Sequence, residues 1–305
     1  MKRLLDCTAS EIAQMNKTEK LKGIQKSEGR IIVSEVTTID APNALKNACL
    51  GELYASMGAD CLMLNVFDVM HPFILNLPVA HPQDSIRELK RLTGKLVGTN
   101  LEAIPQATLD STEFIKLSPG RISNRETLLK CQELGMDFIS LTGNPNTGVT
   151  NQEIMLQVAL AKELIGDNMI IMAGKMHAAG SLKEAGSHII SKDIVKGYAK
   201  AGADIIILPA PGTVPGITTN FIRELVDYAH SFGVMTLTAI GTSQEDSDQQ
   251  TLRQIALMAK MTGTDMHHIG DAGYAGATPE STMIYSLVVR GKRHTYNRMA
   301  TSPLR

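Results

Sequence analysis

Residues Gly202–Ala210 read GADIIILPA: a glycine, a variable residue, an aspartate, then a run of strand-forming aliphatics. The phrase returns as GADCLMLNV (Gly58–Val66), GMDFISLTG (Gly135–Gly143) and GTDMHHIGD (Gly263–Asp271). Each copy follows a helical pattern that stops at its glycine, where a C-terminal glycine cap belongs. Those helices read ALKNACLGELYASMG, NRETLLKCQELG, KDIVKGYAKAG and QQTLRQIALMAKMTG.

Four further strand patterns lie between the copies: RIIVSEVTT from Arg30, KLVGTNLEA from Lys95, MIIMAGKMH from Met169 and VMTLTAIGT from Val234. Helical stretches separate these too, with caps expected at Ser123 with Glu126, at Thr150 with Glu153, and at Thr278 before Pro279. Eight strands alternating with eight helices imply parallel strands and right-handed crossovers. In a chain of 305 residues that is a single (β/α)8 TIM barrel. A doubly wound open sheet is the alternative, weakened because no GxGxxG follows the first strand. One domain is expected over 1–305, with 1–29 as an N-terminal helical cap over the bottom of the barrel and 30–305 as the barrel.

Side chains along a barrel strand alternate between the interior and the helix-covered outside. In the four copies, Leu62, Ile139, Ile206 and His267, then Leu64, Leu141, Leu208 and Ile269, form an almost wholly aliphatic set and should face outward. Met63, Ser140, Ile207 and His268, then Asn65, Thr142, Pro209 and Gly270, become polar toward the strand ends and should face inward. His268 is therefore the interior histidine, and the HH pair is not a shared metal motif. Polar positions near the ends of the other strands are Glu35, Asn100, Glu102, Lys175, His177 and Thr238. Barrel enzymes work at the C-terminal ends of their strands.

The candidate catalytic residues are accordingly Glu35, Glu102, Lys175, His177 and His268. The glutamates are suited to act as bases, the histidines as acids, and Lys175 as an anion ligand or a Schiff-base amine. Asn65, Asn100, Thr142, Gly241, Thr242, Ser243, Gly270 and Gly273 are candidate substrate or phosphate contacts, because the loops GTSQEDSD and GDAGYAG could present backbone N–H groups to an anion. Asp271 has no assigned role. Glu35, Asp68 and Glu102 form a possible oxygen-ligand set for a divalent cation such as Mg2+. Two loops have the length of lids, FDVMHPFILNLPVAHP and GKMHAAGSLKEAGSHII, the first equally suited to an oligomer contact.

Composition narrows the partners. A net charge of −1 and only 4% aromatic residues with no Trp argue against nucleic acid. The four cysteines, Cys7, Cys49, Cys61 and Cys131, form no CxxC pair and read as free thiols of a reducing cytosol. With no signal-like start and no apolar run of membrane length, a cytoplasmic homo-oligomer acting on a small anionic metabolite is expected.

The opening LLDCTASEIAQMNKTEKLKGIQKSEGR, the strand IIVSEVTT and the NVFDV after the second strand resemble a bacterial barrel family labelled phosphoenolpyruvate phosphonomutase-like, and sometimes haloacid-dehalogenase-like hydrolase. The resemblance spans the chain. It implies a barrel enzyme with lyase or isomerase chemistry on a small phosphorylated or carboxylated metabolite. The alternatives are a metal-dependent hydrolase and a non-catalytic ligand-binding barrel. The chain has no DxDx[TV] motif, and AGKMHAAG (Ala173–Gly180) lacks the cysteine of the KxCG-like gating loop of phosphonomutase relatives.

Overall fold

The computed structural model describes residues 1–41, 45–105, 108, 115–143, 145–177, 181–242, 244–271 and 278–305. Ser243 and Gly273, and most of the GDAGYAG loop, lie outside the described residues. The order of elements is α1 (Ala9–Gln14), α2 (Lys17–Lys26), β1 (Ile31–Thr37), α3 (Leu50–Ser56), β2 (Cys61–Asn65), α4 (Ser85–Thr93), β3 (Leu96–Glu102), α5 (Arg125–Glu133), β4 (Phe138–Thr142), α6 (Asn151–Ile165), β5 (Ile170–Gly174), α7 (Lys192–Ala201), β6 (Ile205–Pro209), α8 (Thr219–His230), β7 (Met235–Ile240), α9 (Gln249–Met261), β8 (Met266–Ile269) and α10 (Pro279–Ala300). The strands close in sequence order into one parallel barrel, β8 pairing with β1. The chain is a (β/α)8 TIM barrel.

Strand parity sorts the core into an inner and an outer layer. Ile31, Val33, Met63, Leu96, Phe138, Ile170, Met172, Ile205, Ile207, Leu237, Ala239 and Met266 pack together inside. Leu62, Leu64, Ile139, Leu141, Ile206 and Leu208 pack outward under the helices, and Ile269 does so with α9 and α10. His267 also faces outward, its Nε2 3.1 Å from the Gly29 carbonyl and its ring against Tyr285. Thr238 faces the same way, 3.5 Å from His267 Nδ1.

The Gly-x-Asp repeat builds the opposite end of the barrel from the strand C-termini. Gly58, Gly135, Gly202 and Gly263 all have positive φ and turn the chain out of a helix. The aspartate two residues later then accepts the backbone N–H of the preceding strand: Asp60 from Ile32, Asp137 from Val97, Asp204 from Ile171 and Asp265 from Thr236. Each carboxylate meets a basic side chain as well. Asp60 pairs with Arg290 and Arg298, Asp137 with Lys20 and Lys90, Asp204 with Lys17, and Asp265 with His230. Lys17 and Lys20 belong to α2, and Leu4, Leu5, Ile12 and Ile24 pack against the lowest layer of the barrel interior. The N-terminal segment therefore covers this end.

Some local expectations change. The cap of α5 is Asn124, whose side chain accepts from Thr127 N–H; Ser123 bonds Gln157 instead. Thr150 caps α6 through Glu153 N–H, whereas the Thr278 hydroxyl contacts Ser281 and caps nothing. α3 starts only at Leu50, later than its helical pattern suggests. The apolar loop after β2 buries Phe67, Val69, Ile74 and Leu77 and exposes Phe73. The four cysteines are buried and free. Among the described residues, no helix is long and apolar enough to cross a membrane.

Candidate active site

A cavity of about 220 Å³ opens at the C-terminal ends of the strands. Its wall consists of Glu35 from β1, Asn65 from β2, Asn100 and Glu102 from β3 and Thr142 from β4, with the loop residues Arg121, Gly143, Met176, His177, Gly241, Glu245 and Asp271. A roomier crevice of about 720 Å³ lies at the other end, between α1, α4 and the C-terminal residues. There Arg87 and Arg91 are already paired with Asp84 and Glu88, so the mouth is where chemically able groups converge.

Glu35 is buried at 5% exposure, and its two carboxylate oxygens have different neighbours. Oε1 accepts from Asn100 Nδ2 at 3.1 Å, and Oε2 lies 3.2 Å from His268 Nε2. His268 is fully buried on β8, beneath the cavity wall. Its Nε2 lies off the line of a well-formed hydrogen bond to Glu35, and among the described residues neither ring nitrogen has an aligned partner. The pair is thus in contact without being locked.

Glu102 lies at the end of β3, where Thr147 Oγ1 donates to its Oε2 at 2.8 Å. Gly143 makes room for it, since a Cβ there would stand 2.5 Å from that oxygen. Burial raises the carboxyl's pKa, and the Thr147 hydrogen bond and the Arg121 charge pull it back only in part. Glu245 is buried at 1% exposure, and burial pushes it up to about 7. Among the described residues its Oε2 has no hydrogen-bond partner. A Cβ on Gly270 would stand 2.9 Å from its Oε1. Burial holds His177 below the ordinary imidazole value, although Glu35 and Asp271 oppose this.

Asn65 is held from both ends. Its Oδ1 accepts from the Val66 N–H at 2.8 Å, and its Nδ2 donates to Asp271 Oδ2 at 2.6 Å. Val66 has φ +59°, a costly conformation for a β-branched residue, and it sits where the strand ends and the site begins.

Several candidates from the sequence are not at this cavity. Lys175 is 2% exposed, and its Nζ donates to both carboxylate oxygens of Glu184, at 2.8 and 2.9 Å, and to the Val149 carbonyl at 3.0 Å. The cause is parity: Ile170, Met172 and Met176 face inward, so Lys175 faces out. Its placement as the anion ligand or Schiff-base amine of the mouth is corrected. Asp68 is also elsewhere; its Oδ1 accepts from the N–H groups of Met70 and His71 and stabilises a turn. Among the described residues, no three His, Cys, Asp or Glu side chains group closely enough to hold a metal ion, so the set Glu35, Asp68 and Glu102 does not assemble. Thr242 is spent on the Thr213 carbonyl at 2.9 Å and on Gln244. Gly241 borders the site and Gly270 lies behind it, but the space beside each is filled, by Met176 and by Glu245 with the Ile240 carbonyl.

Sequence reasoning passed over Arg121, Gly143, Met176 and Glu245. Arg121 ends a single helical turn (Pro119–Arg121) beside the bridge between Glu102 and Ile122. No periodic pattern marks it. Glu245 lies in the loop GTSQEDSD, whose sequence suggested only an anion contact.

Among solved structures, the chain is similar to thiamine phosphate pyrophosphorylase from Pyrococcus furiosus, at 16% identity and a TM-score of 0.47, over 86% of this chain and 96% of that one. It is also similar to 2,3-dimethylmalate lyase, a PEP mutase/isocitrate lyase superfamily member, at 14% identity and a TM-score of 0.47, over 86% of this chain and 81% of that one. No curated protein matches the chain. The family model for a domain of unknown function, DUF7916, matches residues 5–305, and the chain belongs to that family.

Proposed function

We propose that this barrel is an enzyme that moves protons on a small polar metabolite, by lyase or isomerase chemistry, within the cavity at its mouth. One observation carries the reading: Glu35 and Glu102 face one small cavity, each oriented by a hydrogen-bond donor, in different electrostatic surroundings. Two carboxyls held apart in this way divide acid from base. Glu102, favoured in its neutral form by burial, is the proton donor. Glu35 is the base, with Asn100 fixing one oxygen and His268 placed to share a proton with the other. His177 stays neutral at physiological pH and supplies a ring nitrogen to the substrate. Arg121 takes the anionic end of the substrate, the part that the sequence suggested for Lys175.

The cavity volume limits the substrate to a molecule well below drug size. The test is solvent exchange: wild-type protein and Glu35→Gln are incubated in D2O with a panel of small carboxylic acids, amino acids and sugars, and NMR follows deuterium entry at carbon. Enzyme-dependent exchange that Glu35→Gln loses supports the reading. Exchange that Glu35→Gln leaves intact, or binding without exchange across the panel, contradicts it.

A further inference from the structure

The charges around the mouth are not mixed at random. The barrel runs in sequence order, so β3 and β4 stand across the mouth from β7 and β8. Arg121, the one Arg or Lys on the cavity wall among the described residues, stands on the β3–β4 side. Glu245 follows β7 and Asp271 follows β8, so two carboxyl groups occupy the facing sector, and Glu35 on β1 reaches between the two sides to Asn100 of β3. Among the described residues, no ion pair or side-chain hydrogen bond occupies the Arg121 guanidinium. Glu245, 1% exposed, borders the cavity, and its buried Oε2 likewise has no described partner. Buried polar atoms are nearly always hydrogen-bonded, so an unpartnered one on a residue of the cavity wall points to a ligand.

Resting on the reading of the mouth as the active site, we infer that its substrate is a small zwitterion, with its carboxylate on Arg121 and its ammonium toward Glu35, Glu245 and Asp271. A phosphate dianion is a poor occupant. It would share the cavity with the carboxyl groups of Glu35, Glu245 and Asp271, with one guanidinium to offset them. Among the described lining residues, no second Lys or Arg stands beside Arg121. A zwitterion gains at both ends: the flat guanidinium matches a carboxylate in a paired geometry, and the facing carboxylates accept the N–H groups of an ammonium. Asn65 donates to Asp271 and keeps that carboxylate oriented.

The test is binding to the full chain, by calorimetry and thermal shift. The probes are the protein amino acids, the matching 2-hydroxy acids, the matching amines and inorganic phosphate. The expected result is that at least one amino acid binds, that its hydroxy-acid and amine counterparts bind about tenfold more weakly or worse, and that Arg121→Gln weakens the amino acid by about tenfold or more. No binding by any amino acid, equal binding by the hydroxy acid, or preferential binding by phosphate overturns the inference. The two readings fail separately. Amino-acid binding without deuterium exchange removes the acid–base reading alone, and exchange on a phosphorylated compound keeps that reading and removes this one.

Discussion

Glu245 and Lys175 are both buried ionisable residues near the mouth, and the structure treats them oppositely. Lys175 has its full complement of partners and serves as a clamp between the end of β5 and the turn that carries Glu184. Replacing it with alanine should cost stability, about 1–3 kcal/mol, because the buried Val149 carbonyl and the part-buried Glu184 carboxylate lose their donor; chemical denaturation measures this. Glu245 has an open oxygen and a pKa pushed to about 7 from an ordinary 4.5. Its folded-state value is raised, so the unfolded chain deprotonates first. The stability it contributes is present below pH 4.5 and lost as pH rises through about 7. Glu245→Gln should therefore melt close to wild type at pH 4.5 and above wild type at pH 8, with the gap opening between the two. A gap that does not change with pH contradicts this placement.

At the scale of elements, the Gly-x-Asp repeat works on the end of the barrel opposite the site, where barrels hold their stability determinants. It was legible because one local rule produces it four times: the glycine ends the helix, and the aspartate fixes the register of the next strand against the previous one. Register fixes parity, so the inward and outward sets of β2, β4, β6 and β8 could be read directly. The other strands carry no such mark. β5 is buried on both faces and ends at Gly174, which hid the outward direction of Lys175. Asp60 is the most enclosed of the four aspartates. Burial alone would raise its pKa, and Arg290 and Arg298 outweigh that and hold it low. Asp60→Asn should destabilise the protein by about 3–5 kcal/mol, because it leaves two buried guanidiniums short of a counter-charge. Thermal unfolding should show the loss, and the same substitution at the half-exposed Asp84 should show little.

At the scale of the whole molecule, the barrel has a sealed end and an open one. The N-terminal segment and α10 close the first with hydrophobic packing and the ion pairs around Asp60, Asp137 and Asp204. The second gathers Glu35, Asn65, Asn100, Glu102 and Thr142 from strand ends, and these were legible because strand parity reaches that far. Arg121, Glu245 and Asp271 come from loops, whose course follows tertiary contacts rather than a repeating pattern. The charge layout of the mouth therefore became visible only with the fold.

In the proposed function, proton transfer belongs to Glu35 at the mouth, while Lys175 only supports the loop beside it. The most direct measurement compares deuterium exchange into the turned-over metabolite for Glu35→Gln and Lys175→Met, normalised to folded protein. Glu35→Gln should lose about 100-fold or more, the scale of a removed general base, and Lys175→Met should keep a rate near wild type. A Lys175→Met enzyme that folds but no longer exchanges, beside a Glu35→Gln enzyme that still does, would contradict this assignment.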